Sequence, residues 1–353
     1  MEKADILSMN VAEIEGLMKG LNQPNFRAAQ VFGWLHDKQV GSFNEMGNLP
    51  TALRKTLDDL CFIPECRVHE KYVSSKDGTV KFLNSFDGGV FVESVLMKYK
   101  HGYSVCISTQ AGCRMGCKFC ASAEHGLQRN LSAGEMCAQV YNAMREIGGE
   151  KLSGVVLMGC GEPLDNFDAV LRFVELITSP KGVNLGQRHI TVSTCGLADG
   201  INALAELSPQ FTLAVSLHAP FDDIRAELMP IAKRYPLAGL IHACRAYAEK
   251  TRRRVTFEYA LISGLNDETT HAKALVKLLR GILCHVNLIP VNSARGGYTP
   301  TPRQEVDAFK QILEEGKIPV TIRRSLGNDV KAACGQLRAG VIRKPSTHRV
   351  AKT

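Results

Sequence analysis

An open or partly closed βα barrel, carrying a small N-terminal helical module and a β-extension, is the α/β fold class that the sequence predicts. Seven short apolar, β-rich runs separated by amphipathic helical stretches point to parallel βα units. A two-halved dinucleotide fold is disfavoured, because no Gly-x-Gly-x-x-Gly turn follows a strand. The 353 residues, at roughly 150 per domain, allow one large domain with an appendage, or two domains.

Residues 1–66 read as the helical module. Ile14, Leu17, Met18 and Leu21 recur at helical spacing behind a capping-box-like Asn10 and Glu13, and Leu49, Leu53, Leu57 and Leu60 form a further stripe. Residues 25–36, with Phe26, Trp34 and Leu35, complete three expected short helices. Cys61 and Cys66 flank Pro64; a zinc pair would need a matching second pair, so they read as buried or bystander thiols. Residues 67–102 read as β-extension and linker, in which 79–86 and 89–97 alternate like paired strands about Asp87 and Gly88. The barrel is assigned to 103–337, with strands expected at 103–108, 155–158, 190–194, 212–217, 255–262, 285–290 and 320–323. Ser132 and Glu135 form a capping box ahead of a helix whose apolar face is Met136, Val140, Met144 and Ile147. Residues 338–353 hold five Lys or Arg and no acid, and read as a basic tail, either solvated or in contact with RNA.

Composition narrows the function. Hydrophobic and charged fractions of 45% and 22% are globular values, which excludes a disordered or fibrous chain. No apolar run of about 18 residues could cross a bilayer, and the first residues carry acids without an apolar signal segment, so a cytoplasmic protein with no membrane partner is expected. The net charge of +8 suits a polyanionic partner. Twelve cysteines in a long chain without a signal suggest metal, redox or catalytic chemistry.

Cys113, Cys117 and Cys120 fall within eight residues, on a loop with a glycine just after the first barrel run. A cubane iron–sulfur cluster normally takes four cysteines, so three with no obvious fourth nearby leave one iron open to a non-protein ligand. A thioredoxin-like pair of Cys117 and Cys120 would leave Cys113 unexplained, and a structural zinc knuckle would need His125 as its fourth ligand.

The Cys-x3-Cys-x-aromatic-Cys pattern after a first barrel strand resembles the radical S-adenosylmethionine (SAM) superfamily. That resemblance implies a partial (βα)6-type barrel and a [4Fe-4S] cluster held by Cys113, Cys117 and Cys120, with the amino and carboxylate groups of SAM on the fourth iron. An electron from the cluster would break a carbon–sulfur bond of SAM and yield a 5′-deoxyadenosyl radical. Phe119 would pack near the SAM adenine, and Gly161 and Glu162 would form the glycine-rich site for its amino group. Ser193, Ser216, Leu217, His218 and Asn292, each at an expected strand end, would line its ribose, carboxylate and adenine.

Segments 106–113, 126–131, 188–193, 216–219, 285–290 and 332–337 match more closely still. They resemble the adenine-C2 methyltransferases of 23S ribosomal RNA, the RlmN family, and span most of the chain. Cys160 and Cys195 depart from the pattern and read as core-type thiols. The resemblance implies adenine 2503 of 23S rRNA as target, with adenine 37 of certain tRNAs in some members. It also implies an N-terminal RNA-binding module, two SAM molecules consumed per methylation, an external electron donor such as flavodoxin or ferredoxin, and action as a monomer. Carbon 2 of adenine lies between two ring nitrogens and is too electron-poor to attack the methyl group of SAM. In the implied sequence Cys334 accepts a methyl group, the radical removes hydrogen from it, and the resulting carbon radical joins the base. Cys106 then attacks the Cys334 sulfur, releasing RNA and leaving a disulfide. Glu93, thirteen residues before Cys106, matches the family's proton acceptor, and either Glu93 or Cys106 takes the C2 proton; its alternative role is an exposed strand carboxylate. Residues 324–335 must fold over the barrel mouth, with Gly327 and Gly335 permitting a mobile loop. Lys98, Lys100 and the Arg252, Arg253 and Arg254 run are candidate RNA contacts for a flipped-out adenine. The rival readings are the C8-methylating relative Cfr and a non-catalytic zinc-knuckle RNA-binding protein.

Overall fold

The computed structural model describes residues 3–292 and 297–337, so the basic tail expected at 338–353 lies outside the described residues. The three expected N-terminal helices are α1 (Val11–Gly20), α2 (Phe26–His36) and α3 (Thr51–Leu60), and the short strands β1 (Ala4–Asp5) and β2 (Cys61–Phe62) pair in parallel beneath them. The capping box starts α1 as the sequence specifies: Glu13 N donates to Asn10 Oδ1 at 3.0 Å, and Asn10 N donates to Glu13 Oε2 at 2.8 Å. The leucine stripe fails at its end. Leu60 is exposed because the chain leaves the helix there and turns into β2.

Next comes an antiparallel meander of β3 (Arg67–Val73), β4 (Val80–Phe86) and β5 (Val90–Tyr99), which continues into β6 (Gly102–Cys106). Gly88 and Gly89 turn the β4–β5 hairpin with φ of +78° and +72°, a backbone region open chiefly to glycine. Strand β3 was not legible in the sequence, since every one of its side chains is exposed and neither face carries an apolar period.

A two-stranded ribbon, β7 (Gln110–Gly112) and β8 (Leu127–Asn130), then brackets the cysteine loop and leads into α4 (Ala133–Glu146). The remaining βα units are β9 (Leu152–Leu157), α5 (Phe167–Thr178), β10 (Ile190–Thr194), α6 (Ala198–Leu207) and β11 (Thr212–Ser216). After α7 (Asp222–Leu228) and α8 (Leu237–Thr251) follow β12 (Val255–Leu261), α9 (Thr269–Leu279), β13 (Cys284–Pro290), α10 (Arg303–Glu315) and β14 (Val320–Ile322). All pair into one open sheet in the order β14-β13-β12-β11-β10-β9-β6-β5-β4-β3. The seven expected runs are its parallel strands β6 and β9 to β14, so the (βα)6-type barrel gains a short seventh strand.

Apolar residues such as Val155, Val192, Val215, Phe257 and Val286 are fully buried in its parallel strands, and one core runs on from them into the N-terminal helices. The contact is also polar. Asp5 accepts a hydrogen bond from Ser132 Oγ at 2.7 Å, and Ser8 Oγ accepts one from Gly134 N at 2.7 Å, so the first turn of α4 is capped partly by the N-terminal segment. His36, fully buried, lies 2.6 Å from the Tyr141 hydroxyl, and burial pulls its pKa down to about 3, so the ring is neutral. Because the parallel strands all run one way, their C-terminal ends form one rim. No helix among the described residues is long and apolar enough to cross a membrane.

Candidate functional site

That rim holds a cavity into which Cys113, Cys117 and Cys120 all face. Their loop is fixed by backbone geometry. Gly112 has φ +78°, and a Cβ there would lie 1.9 Å from the Gly126 carbonyl oxygen, so the ribbon closes only around glycine. Lys118 N donates to Leu228 O at 2.9 Å and ties the loop to the end of α7. Burial, followed by the proximity of the other two thiols, raises the Cys117 pKa well above its ordinary value; burial pushes Cys113 up to about 12. Such thiolates need a positive centre to remain ionised together. No group of His, Cys, Asp and Glu among the described residues closes around a single metal ion. Three cysteines lining one cavity that His125 does not line suit a multi-iron unit, which the donor chemistry fits, better than a zinc knuckle with His125.

Residues expected to hold SAM line the same cavity, with one exception. Phe119 meets His218 edge to face at 4.9 Å. Gly161 has φ +108°, and a Cβ there would lie 2.7 Å from Gln110 Cβ, so the buried β7 chain approaches this backbone too closely for any side chain. Glu162 accepts from Leu164 N at 3.0 Å and Cys195 N at 2.6 Å, which fixes its carboxylate; burial raises its pKa against those bonds. Ser193 donates to Leu157 O at 2.8 Å, and Ser216 and Asn292 complete the wall. His218 sits in the left-handed region at φ +58°, its Nδ1 accepting from Ala260 N at 2.9 Å, and burial pulls its pKa down to about 3. The remaining nitrogen therefore carries the proton as a neutral donor.

Leu217 is the exception. Its side chain is fully buried in the core and does not line the cavity; its backbone carbonyl instead accepts from Arg225 Nε at 3.2 Å. Strand alternation forces this, since Ser216 before it already faces the cavity.

Cys334 lines the same cavity from the C-terminal loop, whose Gly335 bonds to Ala121 of the cysteine loop. Cys106, at the end of β6, lies one layer beneath, packed with Val95, Met97, Cys160, Ala332 and Leu337. Burial pushes its pKa up to about 12, the nearby Cys334 sulfur adds to that, and Arg323 opposes it. All twelve cysteines are free thiols here. The loop carrying Cys334 is held rather than loose. Asp77 accepts from Gly327 N at 2.9 Å, Asp329 accepts from Ser74 Oγ at 2.7 Å, Ala121 N donates to Gly335 O at 2.8 Å, and Ser122 Oγ donates to Leu337 O at 2.8 Å. Gly327 serves close packing as much as freedom: at φ +65°, its Cβ would meet Ala332 at 2.7 Å.

Glu93 is not an exposed carboxylate. It is 8% exposed and pairs with Lys81 at 3.1 Å. It shares a sheet face with Val95, which pairs with Cys106 across β5 and β6, so it stands in the layer of the two thiols without lining the cavity. Sequence reasoning missed Arg225, whose guanidinium ties the Cys195, Ser216 and Leu217 carbonyls together, and the pair Glu258 and Arg323, which line the cavity beside Asn292. Glu258 interrupting an otherwise apolar strand was the one available signal. Lys98 stacks over Tyr103 at 5.1 Å on the adjoining face of the meander.

Comparison with known proteins agrees with this geometry. Residues 107–275 match the model of the radical SAM superfamily, and residues 4–63 match that of the ribosomal RNA large subunit methyltransferase N-terminal domain. The chain is 52% identical over 96% of its length to a probable dual-specificity RNA methyltransferase RlmN of Pelotomaculum thermopropionicum, covering 92% of that protein. It is 48% identical over 96% of its length to the Clostridium novyi protein of the same description, covering 99% of it. The crystal structure of a radical SAM methyltransferase from Sphaerobacter thermophilus superposes with TM-score 0.89 at 43% identity, covering 95% of this chain and 99% of that one.

Proposed function

The chain belongs to the RlmN family of dual-specificity radical SAM RNA methyltransferases, and from that premise we propose that it methylates carbon 2 of adenine 2503 in 23S rRNA and of adenine 37 in certain tRNAs. The observation that carries this reading is one cavity shared by three cluster-type cysteines and Cys334, with Cys106 directly behind it. Cys113, Cys117 and Cys120 hold the [4Fe-4S] cluster, and Phe119, Gly161, Glu162, Ser193, Ser216, His218 and Asn292 hold SAM. The reduced cluster, when bound with SAM, supplies the one-electron chemistry that activates an otherwise unreactive C–H bond.

The protein's own groups do the rest. Cys334 carries the methyl carbon to the base, and its loop, held on both sides, keeps that carbon over the cavity. Cys106 displaces the nucleotide from Cys334, and Glu93 or Cys106 receives the C2 proton, both lying on the same sheet face. Phe119 and the neutral His218 exclude water from the cavity wall. Residues 1–66 serve as RNA-binding accessory domain, 67–102 as β-extension and 103–337 as catalytic domain. The protein acts as a cytoplasmic monomer fed by flavodoxin or ferredoxin.

The test is incubation of anaerobically reconstituted protein with methyl-labelled SAM and protein-free rRNA or tRNA, followed by nucleoside analysis. Labelled 2-methyladenosine is expected; 8-methyladenosine would replace this reading with the Cfr-type one.

A further inference from the structure

In both displacement steps of the proposed reaction the attacking sulfur is a thiolate. It must form at a rim where Cys106 is 7% exposed and surrounded by apolar side chains. One cation stands beside them: Arg323 shares cavity walls with Cys334 and contacts Met158, which packs in the same cluster as Cys106. Arg323 follows β14, where its backbone N donates to Leu288 O at 2.8 Å and sets the direction of the side chain. It lines the main cavity and also a smaller one beside it, and Cys334 lines the same two.

The hold on this guanidinium is loose. Its Nη1 lies 3.6 Å from Glu258 Oε2 and 3.6 Å from the Met158 sulfur, both longer than a strong charge-assisted bond. Glu258 Oε2 is buried and has no hydrogen-bond partner. The carboxylate itself is firmly placed: Asn287 Nδ2 donates to its Oε1 at 3.0 Å, Thr321 Oγ1 donates to Asn287 Oδ1 at 2.6 Å, and His285 Nε2 lies 2.9 Å from Thr321. The anion is thus fixed by a chain of bonds from two further strands, β13 and β14, while the cation keeps donors to spare. Of the other charged groups around the two sulfurs, Lys81 is committed to Glu93 at 3.1 Å and Arg324 is exposed. Tyr99 lines the smaller cavity. The Cys334 sulfur, against the opposing effect of burial and with help from Glu258, Cys106 and Tyr99, holds the Arg323 pKa above its ordinary value.

We propose that Arg323 is a positioning residue for the two-thiol chemistry: a shared counter-ion that favours the thiolate first at Cys334 and then at Cys106, with Glu258 receiving it between steps. This rests on the reading that these two thiols react. In the first step a Cys334 lone pair forms the S–CH3 bond while the methyl–sulfonium bond of SAM breaks, its electron pair staying on the SAM sulfur. In the last, a Cys106 lone pair forms the S–S bond while the Cys334 S–C bond breaks. The released pair passes to the carbon on the nucleotide, which then takes a proton.

The test uses cluster-loaded protein without SAM or RNA, following alkylation of Cys334 by iodoacetamide against pH by peptide mass spectrometry. Arg323→Met is expected to shift the profile upward and slow alkylation near neutral pH roughly tenfold, one unit in a thiol pKa. Arg323→Lys is expected to keep most of the reactivity, and Glu258→Gln to move the profile down. An unmoved profile in Arg323→Met, or slower alkylation in Glu258→Gln, would overturn the proposal. The underlying two-thiol reading fails separately, if Cys334→Ala still methylates RNA.

Discussion

Two groups of cysteines meet at one rim and are built in opposite ways. Cys113, Cys117 and Cys120 belong to a single loop, closed by the β7–β8 ribbon around Gly112. Cys106 and Cys334 come from the first and last parts of the barrel and meet because the C-terminal loop is tied to the meander at Asp77 and Asp329 and to the cluster loop at Ala121 and Ser122. The first group is shaped by one local loop, anchored from outside by single bonds such as Lys118 N to Leu228 O; the second needs the whole sheet. Damage to the fold should therefore reach the pair before it reaches the trio.

The largest effect expected is the loss of one cluster ligand. Cys117→Ala should lower bound iron from about four per chain to near zero and abolish methylation with it, since two thiols no longer hold the cluster. Iron retained in full would show the trio to be less interdependent than its geometry implies. Next come the members of the pair. Cys334→Ala should keep its iron yet form neither S-methylcysteine nor a protein–RNA adduct, whereas Cys106→Ala should accumulate the adduct, read by the mobility of labelled RNA on denaturing gels.

A milder change tests the tethers directly. The double variant Asp77→Ala and Asp329→Ala removes charge-assisted bonds to Gly327, Ser74 and Ser75. Methylation should fall roughly tenfold or more while iron stays unchanged, because a reacting sulfur held less closely loses its orientation. Equal losses of iron and activity would remove the contrast between local and assembled sites.

The smallest expected effect concerns a tertiary contact without chemistry. His36 is held neutral between the N-terminal helices and α4, with its pKa lowered to about 3. The unfolded chain binds a proton at His36 below about pH 6.5, whereas the folded chain does not. Its contribution to stability is therefore complete above that pH, and is lost as pH falls, by about 1.4 kcal/mol per unit. Denaturation midpoints measured from pH 7 to pH 5 should fall more steeply in the wild type than in His36→Phe.

Much of the frame was legible because it rests on local periodicity. The seven parallel strands, the hairpin at Asp87 and Gly88, and the capping boxes at Asn10 and Ser132 follow from patterns a few residues long. Strand β3 was not, for it buries neither face. Leu217 was placed with the SAM residues by the resemblance, which does not reveal which way its side chain points; that side chain is buried in the core. Glu93 was named from the resemblance as a proton acceptor, but its burial against Lys81 of the neighbouring strand was not legible, and its alternative role as an exposed carboxylate does not hold. Arg323 and Glu258 gave little sign, because the partner of a charge on one strand is chosen by the order of strands in the sheet.

The sequence by itself determined the chemical inventory: a loop of three closely spaced thiols, a glycine-rich segment, and two further cysteines in matching surroundings. Tertiary structure alone decided which distant groups share one space. It set Cys334 against the cavity, Cys106 beneath it and Arg323 beside both. The reason is physical: spacing along a chain fixes contacts over a few residues, whereas contacts across a sheet depend on strand order, register and the loops that close over its rim.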